Sequence, residues 1–156
     1  MATQVPVFFG KEWAEDVRLA VEAGPSEQVL AGKLPTYWDW IASARAEYGA
    51  SWALGCRDLP AELGGGPSYL VLEWEDGHCV RSRIVGPDDP LEATYVFGAD
   101  YAVWRELLAG EDPGRIVMYR RLRLEEGNVV TFFRGIYFFV EAVAAATRVP
   151  AALPDA

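Results

Sequence analysis

His78 is the chain's single histidine; it directly follows Asp76-Gly77, adjoins Cys79, and has Glu73 and Glu75 just upstream. A carboxylate beside an imidazole is a pairing that general acid–base chemistry uses, because the imidazole titrates near neutrality. The plainer reading is a solvent-exposed turn, where polar side chains belong. Glu73 and Glu75 would sit about 7 Å apart along one face of a strand, which overlaps the separation of paired glycosidase carboxylates. No sugar-binding group accompanies them, and a solvated strand face accounts for the same pair. Cys56, Cys79 and His78 supply three zinc-ligand types but lack the spacing of a zinc motif. No metal or cofactor is expected, and no residue is assigned a catalytic role.

Arg81 and Arg83 offer different chemistry. If the Asp76-Gly77 turn has two residues, Arg81 stands opposite Leu72 and Arg83 opposite Leu70. Two guanidinium groups then lie on the apolar side of a hairpin, placed to grip a carboxylate head group bidentately. The alternatives are an edge strand protected by charge and a bulge that re-aims both residues. Arg115, Arg120, Arg121 and Arg123 form a basic patch that would meet anionic lipid during ligand transfer, each charge adding ~1 kcal/mol near a membrane. Glu125 and Glu126 partly neutralise it, as they would on an ordinary solvated strand face.

The elements that position these residues are marked by glycine, proline and hydrophobic period. Trp13, Val17, Ala20 and Val21 fall at helical spacing between Lys11 and Ala23, and Gly24-Pro25 ends the run. A second helix is expected from a capping box at Thr36 and Asp39, with Tyr37, Ile41, Ala44 and Tyr48 on one face until Gly49. Ser51–Arg57, Ser68–Glu75 and 78–85 alternate as strands, and Asp76-Gly77 joins the last two as a type I′ hairpin. Gly64-Gly65-Gly66 leads into a strand rather than a helix, which argues against a phosphate loop. Glu92–Phe97 is expected as a fourth strand, with Ala93, Tyr95 and Phe97 on one side, and Arg121–Glu125 as a fifth. Between them, Asp100 caps a helix presenting Trp104, Leu107 and Leu108 until Gly110, and Asp112-Pro113 opens another short one.

From 127 to 148 the pattern predicts one closing helix, apolar except for Arg134, Glu141 and Arg148, whose spacing of seven puts them on one narrow stripe. The remaining faces need an apolar cover: the protein's own core, a second copy in a homodimer, a membrane surface or a bound hydrophobic molecule. The whole chain of 156 residues is expected to form a single domain (1–50 leading helices, 51–126 strands and short helices, 127–148 closing helix, 149–156 tail). Its formal charge of −9 repels phosphate backbones, so nucleic acid is not an expected partner. Six Trp, seven Tyr and seven Phe are enough to fill a core and wall a cavity. Two cysteines without motif spacing suggest a reduced, cytoplasmic protein, and the apolar stretch Val5–Phe9 is too short for a signal peptide or a membrane span.

The segments SWALGCR, SYLVLEWEDGHCVRSRIV and ATYVFGADYAVWRELLAGEDPGRIVMYRRLRLEEGN, with the apolar helix that follows, resemble the sterol carrier protein type two (SCP2) family. The likeness covers roughly residues 51–146. It departs at Arg120, where that family often has a glycine, and in the aromatic-rich Tyr37, Trp38 and Trp40. The resemblance implies an α+β fold with a five-stranded mixed sheet covered by helices. It also implies binding and carriage of a hydrophobic small molecule, fatty-acyl, sterol-like or another lipid, in an apolar tunnel. The expected ligand-binding residues are Trp104, Leu107, Leu108, Met118, Leu122, Leu124, Phe132, Phe133, Ile136, Tyr137, Phe139 and Val140, with Arg81, Arg83 or Tyr137 orienting a polar head. Two other expectations stand beside this one. An enzyme or enzyme accessory would use the same pocket with His78, Glu73 or Glu75 as acid or base; a homo-oligomeric interaction module would have a filled core. Transient membrane contact is compatible with the first.

Overall fold

The computed structural model describes residues 5–24, 27–118 and 122–153; Arg120, Arg121 and the side chain of Met118 fall outside that description. Helix α1 (Lys11–Ala23) buries Trp13, Ala14, Val17 and Val21 along one face, and it stops where Gly24 takes a positive φ of 80° and returns its N–H to Ala20 O. Both ends agree with the hydrophobic spacing. Helix α2 (Glu27–Ala31) is a five-residue turn with no buried side chain, so no apolar stripe announces it.

Helix α3 (Pro35–Arg45) departs from the expected capping box. Leu34 is its N-cap, no side chain caps it, and Pro35 occupies the first turn, where a missing N–H is not needed. The helix also ends before Tyr48, whose N–H turns back to Arg45 O at 2.9 Å.

Strands β1 (Ala50–Cys56), β2 (Ser68–Glu75), β3 (His78–Val85), β4 (Tyr95–Ala99) and β5 (Arg123–Glu126) form one five-stranded sheet in the order β3-β2-β1-β4-β5. Strands β1 and β4 run parallel and the other neighbours antiparallel, so the sheet is mixed. The hairpin turn has positive φ at both Asp76 (49°) and Gly77 (82°), as a type I′ turn requires. Strand β4 starts at Tyr95 rather than Glu92. Ala93 therefore packs with Ala53, Val71, Val85 and Val96 on the opposite face from Tyr95 and Phe97.

The helices gather on one face of this sheet. Trp52, Leu54, Leu70, Leu72, Trp74 and Phe97 point into the main core, where α1, α4 (Tyr101–Leu108) and the C-terminal helices meet them. The short α5 (Pro113–Met118) follows α4, with Gly114 N–H donating to the Asp112 carboxylate. The expected single closing helix is two helices, α6 (Val129–Arg134) and α7 (Ile136–Thr147). At Gly135 (φ −112°, ψ 20°) the backbone leaves helical geometry, at the residue type that holds a helix least well after proline. The Asn128 side chain caps α6 by accepting from Thr131 N at 3.0 Å. The expected charge stripe is broken with the helix, and Glu141 is tucked inward to Lys33.

Val5–Phe9 has an unanticipated role in this core. Phe8 and Phe9 are buried against Trp13 and Trp104, while Val7 bridges in parallel to Ala152, so segment 5–9 packs on α1 and α4 and carries residue 152 beside it. No helix among the described residues is long and apolar enough to cross a membrane.

Candidate functional site

Where α4 and α7 end, the segment 149–153 runs past them and leaves a groove of about 860 Å³. Its apolar wall is Leu107, Leu108, Ala144, Val149, Ala151 and Leu153, and Arg105, Glu111 and Arg148 supply charge. The local folding follows from few contacts. The Trp104 indole N–H donates to Gly55 O at 2.9 Å in the buried core, which pins α4 to β1. Gly110, at φ 104°, lets the chain turn away from α4. The third wall is held by Ala152, whose N–H donates to Pro6 O and whose carbonyl accepts from Phe8 N. At the end of α7, Thr147 folds its hydroxyl back onto Val143 O at 2.9 Å, so this buried polar group is satisfied within its own helix.

Of the residues expected to bind a ligand, Leu107 and Leu108 line this groove. Trp104, Leu122, Phe132 and Phe139 lie in the closed core; Leu124, Ile136 and Val140 are half-buried. Phe139 stacks on Phe97 with centroids 4.4 Å apart and meets Trp52 at 5.1 Å, an aromatic seam packed ring against ring. Phe133 and Tyr137 are more than half exposed on the outer surface, where Tyr137 meets Trp40. Ala144, Val149, Ala151 and Leu153 escaped the sequence reading, because a run of small residues and a nonperiodic tail carry no spacing signal.

The register expected for Arg81 and Arg83 is corrected by a bulge. Glu75 pairs with His78 and Trp74 with Cys79, but Glu73 pairs with Arg81, so one residue, Val80, is extra. Arg83 consequently stands opposite Val71. Both guanidinium groups lie on the face away from the helices, with Nε atoms 3.4 Å (Arg81) and 3.9 Å (Arg83) from Glu73 Oε2. They are therefore absent from the groove.

His78 is exposed and stands opposite Glu75 in the hairpin, but its Nδ1 lies 3.2 Å from Oε1 of Glu22 on α1. Cys56 and Cys79 are buried and unpaired, on strands separated by β2, and burial pushes both thiols up to about 12. Such thiols are poor nucleophiles near neutral pH. Among the described residues no cluster of His, Cys, Asp or Glu is placed to hold a metal. In the expected basic patch Arg115 and Arg123 are exposed, while Glu125 turns to Arg57 at 3.2 Å.

A mixed sheet in the order β3-β2-β1-β4-β5, with helices on one face, defines an α+β fold of the SCP2 type. Comparison with solved structures agrees. The chain is 25% identical to the crystal structure of sterol carrier protein 2, with a TM-score of 0.67 over 90% of this chain and 98% of that one. It is 22% identical to a conserved hypothetical protein of Thermus thermophilus in its solution structure, with a TM-score of 0.66 over 99% and 97% of the two chains. No family model and no curated protein matches the chain by sequence.

Proposed function

We propose that this chain binds and carries a hydrophobic small molecule of the lipid class, held in the groove between α4, α7 and segment 149–153. The observation that carries the reading is that groove's size and wall on an SCP2-type fold. A volume of about 860 Å³ lies within the usual range of small-molecule sites, and the wall is aliphatic with charged groups beside it. Sequestration needs no catalytic group. Removing about 300 Å² of ligand surface from water at ~25 cal/mol per Å² gives a gross ~7.5 kcal/mol before association costs. Arg105 and Arg148 replace Arg81 and Arg83 as the groups that would orient a polar head. Two unpaired, buried thiols favour a reducing compartment such as the cytoplasm.

The test is native mass spectrometry of the purified protein, extraction of anything released, and titration with fatty acids, acyl conjugates and sterols. A discrete co-purified or titrated lipid, displaced when Leu108 becomes Asp, supports the reading. Failure of every class to bind rejects it. A second reading, self-association, is favoured by the exposed Val129, Val130, Phe133 and Tyr137 on α6 and the start of α7. It predicts a concentration-dependent mass in sedimentation velocity that Phe133→Ser abolishes.

A further inference from the structure

A second groove, of about 590 Å³, shares no lining residue with the first and lies among the end of α3, the start of β1, Thr94, Tyr95 and Thr131 of α6. Tyr48 lines it, and its ring is clamped by Trp52 and Phe138 at centroid distances of 5.8 and 5.2 Å. The Tyr48 hydroxyl accepts from the Trp52 indole N–H at 2.8 Å. Its own proton goes to no acceptor among the described residues, so the group keeps one donor for an outside partner.

The opposite polarity comes from α3. That helix ends at Arg45; Ala46 N takes Ala42 O, Tyr48 N takes Arg45 O, and no backbone donor among the described residues takes the Ser43 or Ala44 carbonyl. Ser43, Ala44, Ala46 and Glu47 all line the groove. A helix C-terminus carries about half a negative charge, and Glu47 adds to it, so an anion is disfavoured there. Tyr95, Ala44 and Ala50 give an apolar wall.

We propose that this groove is a separate binding site for a small uncharged alcohol, whose hydroxyl accepts from the Tyr48 phenol and donates to the carbonyl end of α3. Burial pushes the phenol up to about 12, so it remains a donor throughout the physiological range. A carboxylate would meet the wrong field, and a hydrocarbon would leave the phenol proton unanswered. The site stands independently of the groove beside α4 and of what that groove carries.

Cyclohexanol is the probe, with cyclohexanecarboxylate and methylcyclohexane as comparisons, in a ¹H–¹⁵N NMR titration of the full chain. The expected result is saturable shifts at Gly49, Ala50, Thr94, Thr131 and the Trp52 indole with cyclohexanol, at least about tenfold stronger than with either comparison. Tyr48→Phe should weaken cyclohexanol about tenfold, and Glu47→Gln should keep the alcohol while strengthening the carboxylate. Equal binding of carboxylate and alcohol to the unaltered protein, or shifts confined to the groove beside α4, overturns the site. Unchanged cyclohexanol affinity in Tyr48→Phe overturns the donor. If Tyr48→Phe does not fold, Glu47→Gln decides: carboxylate affinity that fails to rise contradicts the assignment.

Discussion

Lys33 and Glu141 meet with Nζ 2.8 Å from Oε1, joining the α2–α3 segment to the middle of α7. Tyr37 completes the contact: its hydroxyl lies 3.3 Å from the same carboxylate oxygen, and its ring centre is 4.5 Å from the ammonium. Glu141, the one acid within α7, is only 10% exposed, whereas Lys33 is 48% exposed. Losing the lysine would strand a buried charge, while losing both partners would not. Lys33→Met should therefore destabilise the fold by about 1–3 kcal/mol in urea denaturation, and the Lys33→Met/Glu141→Leu double variant should recover most of that. A double variant no more stable than the single one would contradict this.

The same pair predicts a pH dependence. Burial works against the Lys33 ammonium, but the hydrogen bond and charge of Glu141 outweigh it and hold its pKa above the ordinary lysine value. A group with a raised folded pKa contributes stability that is complete below its unfolded value, near 10.4, and is lost as pH rises through the folded one. The difference in unfolding free energy between the unaltered protein and Lys33→Met should stay constant from pH 7 to about 10 and shrink above it. A difference growing with alkalinity would refute the assignment.

Arg81 and Arg83 lie on the far face with Glu73, in partly exposed ion pairs. Arg81→Ala should cost no more than about 1 kcal/mol and leave lipid affinity within twofold. A tenfold loss of affinity would return these residues to a binding role. Deleting Val80 removes the bulge while leaving Arg81 opposite Glu73 and Arg83 opposite Val71, so the near-ultraviolet circular dichroism of the Trp52–Trp74 pair should be retained; its loss would contradict this register.

Gly77 is constrained twice. Its φ is 82°, and a Cβ there would fall 2.5 Å from Arg45 O. Gly77→Ala should cost about 2 kcal/mol or more in thermal or chemical unfolding, against a few tenths for an unconstrained exposed site. Arg45 makes the turn part of the helical layer by donating to Gly77 O at 2.6 Å. A neutral substitution would show that this approach is not maintained in solution.

Legibility in the sequence follows how local each determinant is. Helix α1 was readable to the residue because Gly24 stops an apolar stripe, and the β2–β3 hairpin because Asp76-Gly77 accepts two positive φ angles. The fold class was readable from the strand pattern and the family resemblance together. The bulge at Val80 stood only as one alternative, since skipping one residue flips every later side chain to the other face and the sequence does not choose between the two phases. The break at Gly135 was hidden by apolar residues that bury equally well in one helix or two. Half of the groove was invisible because Ala151 and Leu153 owe their position to a bridge between Val7 and Ala152, a pairing at the two ends of the chain.

The most direct test of the carrier reading is where a lipid sits. Intermolecular nuclear Overhauser effects between a ¹³C-labelled fatty acid and the protein's methyl groups should appear at Leu107, Leu108, Ala144, Val149 and Leu153, with the carboxyl end near Arg105 or Arg148. A bound fatty acid whose contacts lie elsewhere, or no contact at saturating ligand, would contradict the assignment of this groove.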